Sequence, residues 1–267
     1  MYAMFLINDR KNIMKYYIIV MSFFILVACK ENSNNTDVNN DDIKNLYELI
    51  TNSSDFADTY GSVVLEATGN MTSNFSYQST ASIFDSPSRI NKVDAGNISV
   101  DGVNLNIDNN KEYRIAVNQA NAYGKTTSFT IEGNTNTGIE QFQTNMYIPK
   151  LINMQLVNPD SHNKSNNLSV VWNADANNTG NVYIRLYYNK NVNEAIDANR
   201  TEASIFKVFT VPDNGSYIID AIEFASMPVN GYFTVNIARG NYKISGINQE
   251  HLVFAGCTDT KMLQITN

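Results

Sequence analysis

The strongest constraint on the fold is an alternation of apolar and polar residues with a period of two, which runs through most of the chain after residue 60. Successive side chains of a β-strand point to opposite faces, so this period predicts strands that bury one face and expose the other. Turn sequences such as Asp101-Gly102 and Val229-Asn230-Gly231 separate the segments. The sequence therefore predicts an all-β fold, with strands at residues 62–67, 97–100, 103–107, 113–117, 129–131, 168–172, 182–188, 206–211, 217–219, 232–237, 252–257 and 262–265.

The predicted strands fall into two groups, and we predict one β-sandwich domain for each. An N-terminal β-rich domain is expected over residues 43–147 and a C-terminal domain over residues 148–267, because Pro149 cannot donate into a central strand pair. The C-terminal strand spacing resembles an immunoglobulin-like or fibronectin-like sandwich, and Trp172 resembles the buried tryptophan of such cores. The disulfide of antibody domains is absent, so the topology stays open. No internal repeat relates the two halves of the sequence.

A polar segment and a short helix are expected before the first domain. Residues 29–42 are almost wholly polar and predict a solvated tether. Ile43, Leu46, Tyr47 and Ile50 then follow the spacing of one helical face, with Asp41 or Asp42 as the cap. This is the only helix that the apolar pattern predicts after residue 29.

The N-terminal 29 residues carry an export signal. Lys15 precedes an uncharged run of 13 residues, Tyr16 to Ala28, which as a helix would rise about 20 Å and fall short of the ~30 Å hydrocarbon core. The run therefore predicts a signal peptide rather than a membrane span. It ends in Leu26-Val27-Ala28-Cys29, which resembles a bacterial lipobox. Residues 1–13 are interpreted as an upstream start-site extension, because Met14-Lys15 is the more usual beginning.

The lipobox resemblance implies a lipid anchor. In lipoproteins of this kind the signal, here residues 1–28, is removed and the cysteine, here Cys29, is acylated with diacylglycerol and a third fatty acid such as palmitate. Lys30 rather than aspartate follows Cys29, which by resemblance favours delivery to the outer membrane, and Lys30-Glu31 resembles the surface-export signals of Bacteroidota lipoproteins. The chain is expected on the outer membrane, at the cell surface or on the periplasmic face.

Charge and motif content disfavour several function classes. The net charge is −7, and removal of residues 1–28 takes away three basic and one acidic side chain and leaves −9, which argues against a nucleic-acid partner. No nucleophile, zinc-protease or phosphate-loop motif is present, so we predict that the chain is not an enzyme. Distant carboxylates that meet only in the fold are left open. Cys257 is expected to be buried, and His162 to be a solvated turn residue.

One predicted strand carries candidate ligand-binding residues. Tyr183, Arg185 and Tyr187 share one face of residues 182–188, and the other face is apolar. Two aromatic rings and a guanidinium on one exposed face suit a glycan, since sugar rings stack on aromatic rings and sugar hydroxyls accept hydrogen bonds from arginine. Exposed tyrosine pairs also occur on sandwiches that bind nothing.

The loop after Trp172 is a weaker candidate for a calcium site. It holds Asp175, Asn177 and Asn178, whose oxygens are of the type that Ca²⁺ prefers. The alternating acidic pattern of an EF-hand is missing, so an ordinary Asx turn is the alternative. No other cofactor is expected.

Two functions are compatible with these features. The first is a non-catalytic, membrane-anchored cell-envelope lipoprotein that binds an extracellular glycan or another polymer. The second is a structural or assembly protein, such as a fimbrillin-like subunit or an accessory lipoprotein that contacts an envelope protein. This second hypothesis rests on architecture alone.

Overall fold

The computed structural model of the chain describes residues 44–45, 58–69 and 74–267. The predicted signal peptide, the predicted lipidation site Cys29 and the predicted tether lie outside these residues. Within them the fold is all-β, with one α-helix and two short 3-10 turns. The predicted fold class is confirmed, and the strands form two sandwiches.

The first sandwich is built from eight strands that follow β1 (Lys44–Asn45). One sheet has the order β2-β3-β7-β6 and the facing sheet has the order β5-β4-β8-β9. The bounds are β2 (Gly61–Gly69), β3 (Phe75–Ile83), β4 (Ile98–Val100), β5 (Val103–Asn104), β6 (Asn106–Ile107), β7 (Glu112–Ile115), β8 (Lys125–Ile131) and β9 (Phe142–Ile148). The single strand predicted at 103–107 is therefore wrong, since its two ends lie in opposite sheets.

The second sandwich repeats this plan. A sheet of order β10-β12-β15 faces a sheet of order β14-β13-β16-β17, and the short β11 pairs in parallel with β17. The bounds are β10 (Met154–Leu156), β11 (Ser161–Asn163), β12 (Leu168–Trp172), β13 (Asn181–Tyr188), β14 (Ile205–Pro212), β15 (Ser216–Ile219), β16 (Tyr232–Ser245) and β17 (His251–Thr266).

Both sandwiches have the same strand order once the short β6 and β11 are set aside. Counting strands within each unit, the first, second and fifth form one sheet, and the fourth, third, sixth and seventh form the other. This Greek-key order is that of the immunoglobulin-like and fibronectin-like sandwiches that the sequence predicted. The repeat exists in topology although the sequence shows none, because each position needs only an apolar side chain of roughly suitable volume.

The two sandwiches are joined through one continuous sheet. β17 pairs in parallel with β2 over seven residue pairs, from Leu252–Ser62 to Thr258–Thr68, so that ten strands form a single sheet. The sequence predicted two separate strands at 252–257 and 262–265, which is wrong, because the intervening polar residues pair with β16 without a break. In the sequence alone, a run of polar residues inside a strand looks like a loop between two strands, because the strand that pairs with it is not known.

A pair of glycines lets the long strands cross from one sandwich to the other. Gly240 of β16 lies opposite Gly256 of β17. A Cβ atom on Gly256 would lie 2.6 Å from the Phe254 ring, and one on Gly240 would lie 2.7 Å from the carbonyl oxygen of Ala255. The Phe254 ring thus packs directly on the backbone of β17, where any side chain at Gly256 would displace it.

Each sandwich has its own core, and β17 contributes to both. Val253 and Ala255 lie in the first core, whereas Cys257, Leu263 and Ile265 lie in the second. The division predicted near residue 147 falls at the end of β9, after which residues 149–153 pass to the second sandwich. Trp172 is buried in the second core, as predicted. The last two strands therefore couple the packing of the two halves.

The helical predictions need correction. Lys44 and Asn45 form β1, which pairs with β16 where that strand extends past β13, so the helix predicted from residue 43 is wrong at these two positions. The remainder of that segment lies outside the described residues. A helix that was not predicted, α1 (Lys190–Ile196), is capped by the Asn189 side chain, which accepts hydrogen bonds from two backbone N–H groups. Its seven residues are too few to display an apolar period.

Candidate ligand-binding face

The candidate residues of β13 lie on the outer face of the large sheet. Tyr183, Arg185 and Tyr187 are half-buried and alternate with four buried side chains. Those four side chains, Val182, Ile184, Leu186 and Tyr188, belong to the second core. The predicted division of this strand into a core face and an outer face is therefore confirmed, and the three candidate residues share one surface.

The Arg185 side chain is held in place by a hydrogen-bond chain across three strands. Its Nε and Nη2 atoms donate to Oδ1 of Asn236 on β16, at 2.9 and 2.7 Å. The amide nitrogen of Asn236 in turn donates to Oγ1 of Thr260 on β17, at 2.5 Å. Two hydrogen bonds to one oxygen fix the plane of the guanidinium, so Arg185 is oriented before any ligand arrives.

Two aromatic rings lie beside the guanidinium. The Arg185 carbon Cζ lies 5.8 Å from the centre of the Tyr187 ring and 6.0 Å from the centre of the Phe206 ring. These two rings meet edge to face at 6.2 Å. Such cation–π contacts stabilise a cation at a surface by about 0.5–1 kcal/mol. The arrangement presents an oriented donor beside a pair of contacting aromatic rings, and we name Tyr183, Arg185, Tyr187 and Phe206 the aromatic–arginine face.

Phe206 is a site residue that the sequence analysis missed. It lies opposite Tyr187 in the β13–β14 pairing, and 52% of its surface is exposed. Residues 206–211 were predicted as a strand, but the register that places Phe206 beside Tyr187 depends on the length of the connection through α1. Phe206 would have been predicted only if the strand that pairs with residues 182–188, and the register of that pairing, had been known.

The loop that was considered for calcium does not fit the ion. The carboxylate of Asp175 is buried and accepts hydrogen bonds from the hydroxyl of Tyr147 and the backbone N–H groups of Lys150 and Asn177. Burial raises the pKa of Asp175, but these hydrogen bonds outweigh it and leave the pKa below its ordinary value. The side-chain amide of Asn178 donates to Asp213. Donors surround the carboxylate where Ca²⁺ would need six to eight oxygens, so the loop is an Asx turn that fastens residues 147–150.

A buried ion pair beneath this loop was also missed. Nη1 of Arg239 contacts Oδ2 of Asp213 at 2.9 Å, with 0% and 2% of the two side chains exposed. The remaining donors of Arg239 reach the carbonyl oxygens of Lys150, Leu151 and Asn173. Asp213 accepts a further hydrogen bond from the Trp172 indole. Arg239 thus binds the segment that crosses between the sandwiches, and nothing in its local sequence marks it as buried.

Cys257 and the two histidines are all buried. Burial raises the pKa of the Cys257 thiol to about 11, in keeping with the predicted structural role. His251 lies six positions away on the same strand, so the two cannot form a catalytic pair. The prediction that His162 is solvated is wrong, because its ring packs 4.3 Å from that of Phe224.

Two further features are absent from the described residues. There, no three or more His, Cys, Asp and Glu side chains come close enough to hold a metal ion. Nor does any helix within these ranges combine the length and the apolar character needed to span a bilayer.

The comparisons with known proteins give no family. No family model and no curated protein matches the chain. Among solved structures, the chain is similar to the crystal structure of chicken CNTN1 FN1-FN3 domains, at 12% sequence identity and a TM-score of 0.19. That match covers 76% of this chain and 66% of the other, which is less than two thirds of its length. A score so low carries no argument about function, and the fold assignment rests on the strand order.

Proposed function

We propose that the chain is a membrane-anchored, non-catalytic cell-envelope lipoprotein that binds an extracellular glycan through the aromatic–arginine face. The observation that carries the proposal is the Arg185 guanidinium, fixed by Asn236 beside the contacting rings of Tyr187 and Phe206. The C–H faces of a sugar pack on aromatic rings, and its hydroxyl oxygens accept hydrogen bonds from a guanidinium. A rigid strand surface holds these groups with little loss of conformational entropy on binding.

Loss of either ring is expected to weaken glycan binding. Replacing Tyr187 or Phe206 by alanine removes an aromatic contact worth about 1.5 kcal/mol, which corresponds to a roughly tenfold higher Kd. Binding is measured by titrating the purified protein against the glycan found in an array of plant, host and bacterial polysaccharides. The control is Ile218→Ala on the opposite sheet, since Ile218 is also exposed, at 58%, but lies away from the face. Equal affinity for all three variants, or no binding across the array, would contradict the proposal.

The anchor and location are tested in cells. We expect added protease to degrade the folded part of the protein on intact cells, and Cys29→Ala to release the protein from the membrane fraction, because acyl chains contribute about 0.8 kcal/mol for each buried CH₂ group. The control is a soluble periplasmic protein, which must survive the protease until the cells are lysed. Protection of the wild-type chain in intact cells would place it in the periplasm and exclude an extracellular polymer as its ligand.

The alternative role in assembly draws on a separate feature. Among the described residues, β14 is the terminal strand of the ten-stranded sheet and has a neighbour on one side only. Such an edge can add a further strand from another chain.

A further inference from the structure

We propose that β14 is a dimerisation edge, at which it pairs antiparallel with β14 of a second copy of this chain. The inference does not depend on the glycan ligand. It rests on the hydrogen-bonding state of the edge, on the side chains that border it and on the self-complementarity of its sequence.

The backbone of β14 leaves one row of polar groups without partners. Pro212 has no N–H, so its pairing with Asn181 lacks mutual hydrogen bonds, and in an antiparallel ladder the hydrogen-bonded positions alternate. Phe206, Val208 and Thr210 then point their N–H and C=O groups away from β13. Within the described part of the chain, no backbone or side-chain group bonds to them.

The side chains of the edge are uncharged apart from one lysine. Its sequence is Ile-Phe-Lys-Val-Phe-Thr-Val-Pro, and only Val211 is buried. The one charged residue, Lys207, lies on the core side, where its ammonium group pairs with Glu223 at 2.8 Å. Inward-pointing charges and prolines protect many natural edges. Here Glu223 neutralises the one inward-pointing charge, and the one proline stands at the last position of the strand. Residues 206–210 of the edge therefore carry no unneutralised charge and no proline that would keep another strand away.

The strand is complementary to itself. In an antiparallel pair centred on Val208, each Val208 exchanges two hydrogen bonds with its counterpart, and each Phe206 lies opposite Thr210 of the second copy. Lys207 lies opposite Phe209 of the second copy, so no like charges face each other. A two-fold axis of this kind gives a closed dimer, the commonest symmetry of soluble oligomers.

Dimerisation would double the aromatic–arginine face. A two-fold axis perpendicular to the sheet directs this face of both copies to the same side. Three strand spacings separate the two β13 strands, which is about 14 Å. A polymer that spans both faces would be bound by two sites at once, and its retention would exceed that of one site.

Sedimentation velocity of the purified full chain tests the inference. We expect the sedimentation coefficient to rise with concentration from that of a monomer to that of a dimer. Val208→Pro removes one outward N–H and no bond to β13, and Val208→Lys places two ammonium groups on the axis, so both variants should remain monomeric where the wild type is dimeric. Val171→Lys is the control, since Val171 is exposed on β12, the central strand of the opposite sheet, and should leave the dimer intact.

Cross-linking gives a second readout, because a covalent bond also traps a dimer that is too weak to be detected by sedimentation. Under mild oxidation Val208→Cys should form a disulfide-linked dimer much faster than Val171→Cys, because the two-fold axis brings the two copies of position 208 together. Both variants also carry Cys29→Ser, and Cys257 is buried, so the introduced cysteine is the one reactive thiol. A wild-type chain that stays monomeric at every concentration would overturn the inference. So would a dimer that survives both substitutions at Val208, or cross-linking at equal rates at the two positions.

Discussion

Replacing Arg239 by methionine is expected to lower the free energy of unfolding by about 4 kcal/mol. The substitution keeps an apolar stem of similar length but leaves the buried carboxylate of Asp213 without its cation. It also removes the donors to three carbonyl oxygens, those of Lys150, Leu151 and Asn173. The carbonyl oxygens of Leu151 and Lys150 keep a second donor, the Asn173 amide and the Cys257 thiol respectively, so the uncompensated carboxylate of Asp213 accounts for most of the loss. The loss is measured by urea denaturation, from the shift of the midpoint at unchanged slope.

The matched control is a surface arginine with the same chemistry. Arg114 pairs with Glu112, but 61% of its side chain is exposed, so Arg114→Met should cost less than about 1 kcal/mol. Arg239→Lys should recover only part of the loss, because an ammonium group cannot reach the carboxylate and three carbonyl oxygens together. Equal losses at positions 239 and 114 would show that the buried pair does not stabilise the junction.

Acid should destabilise the protein through His251, by about 3 kcal/mol between pH 7 and pH 4. The ring is fully buried beside Phe142 and Tyr60, and within the described residues neither nitrogen has a hydrogen-bond partner. Burial lowers the pKa of His251 from 6.5 to about 4. Between pH 6.5 and pH 4 the unfolded chain therefore binds a proton at His251 that the folded chain does not bind. The contribution of His251 to the free energy of unfolding is fully present above pH 6.5 and is lost as the pH falls toward 4.

The variant His251→Phe isolates this contribution. Phenylalanine has a similar shape and cannot be protonated, so the variant should match the wild type near pH 7.5 or exceed it, and should lose less stability toward pH 4. Burial lowers the pKa of His162 as well, and raises the pKa of Asp259, which opposes the histidines. Both groups remain in the variant, and the difference between the two stability curves therefore reports His251 alone. Parallel curves would contradict the assignment.

The sequence predicted most of the strands because alternation is a local signal. β12, β13 and β15 were found at nearly their observed bounds, since each buries one face and ends at a turn. β3 was missed because its exposed half is Phe-Ser-Tyr-Gln, where polar and aromatic residues give no contrast between the faces. Alternation can be read only where one side of a strand is apolar and the other is polar.

The continuity of β17 could not be predicted from local pattern. Asp259 lies in the middle of the strand and is buried, yet its carboxylate is satisfied by the backbone N–H of Met154, 105 positions away in the chain. A buried acid of this kind depends on a partner that only the folded chain supplies. Arg239 likewise is a buried charged residue whose partners are distant in the chain, since its hydrogen-bond acceptors belong to residues 150, 151, 173 and 213.

The candidate site was predictable in part. Tyr183, Arg185 and Tyr187 share a face by the period of two alone, so their common exposure followed from the sequence. Phe206, Asn236 and Thr260 join them through strand register, which the sequence pattern leaves undetermined. The calcium hypothesis was wrong because the number of oxygen atoms in a loop does not show how many N–H and O–H groups of the folded chain donate hydrogen bonds to them.

The parallel pairing of β2 with β17 has a mechanical consequence. A tensile force that pulls the N-terminal end of β2 and the C-terminal end of β17 apart acts along the strands, in opposite directions on the two partners. The seven residue pairs from Ser62–Leu252 to Thr68–Thr258 then bear the load in shear and must yield together, rather than opening one after another. A chain that is held at one end and pulled at the other, for example by flowing liquid, would therefore resist unfolding as one mechanical unit.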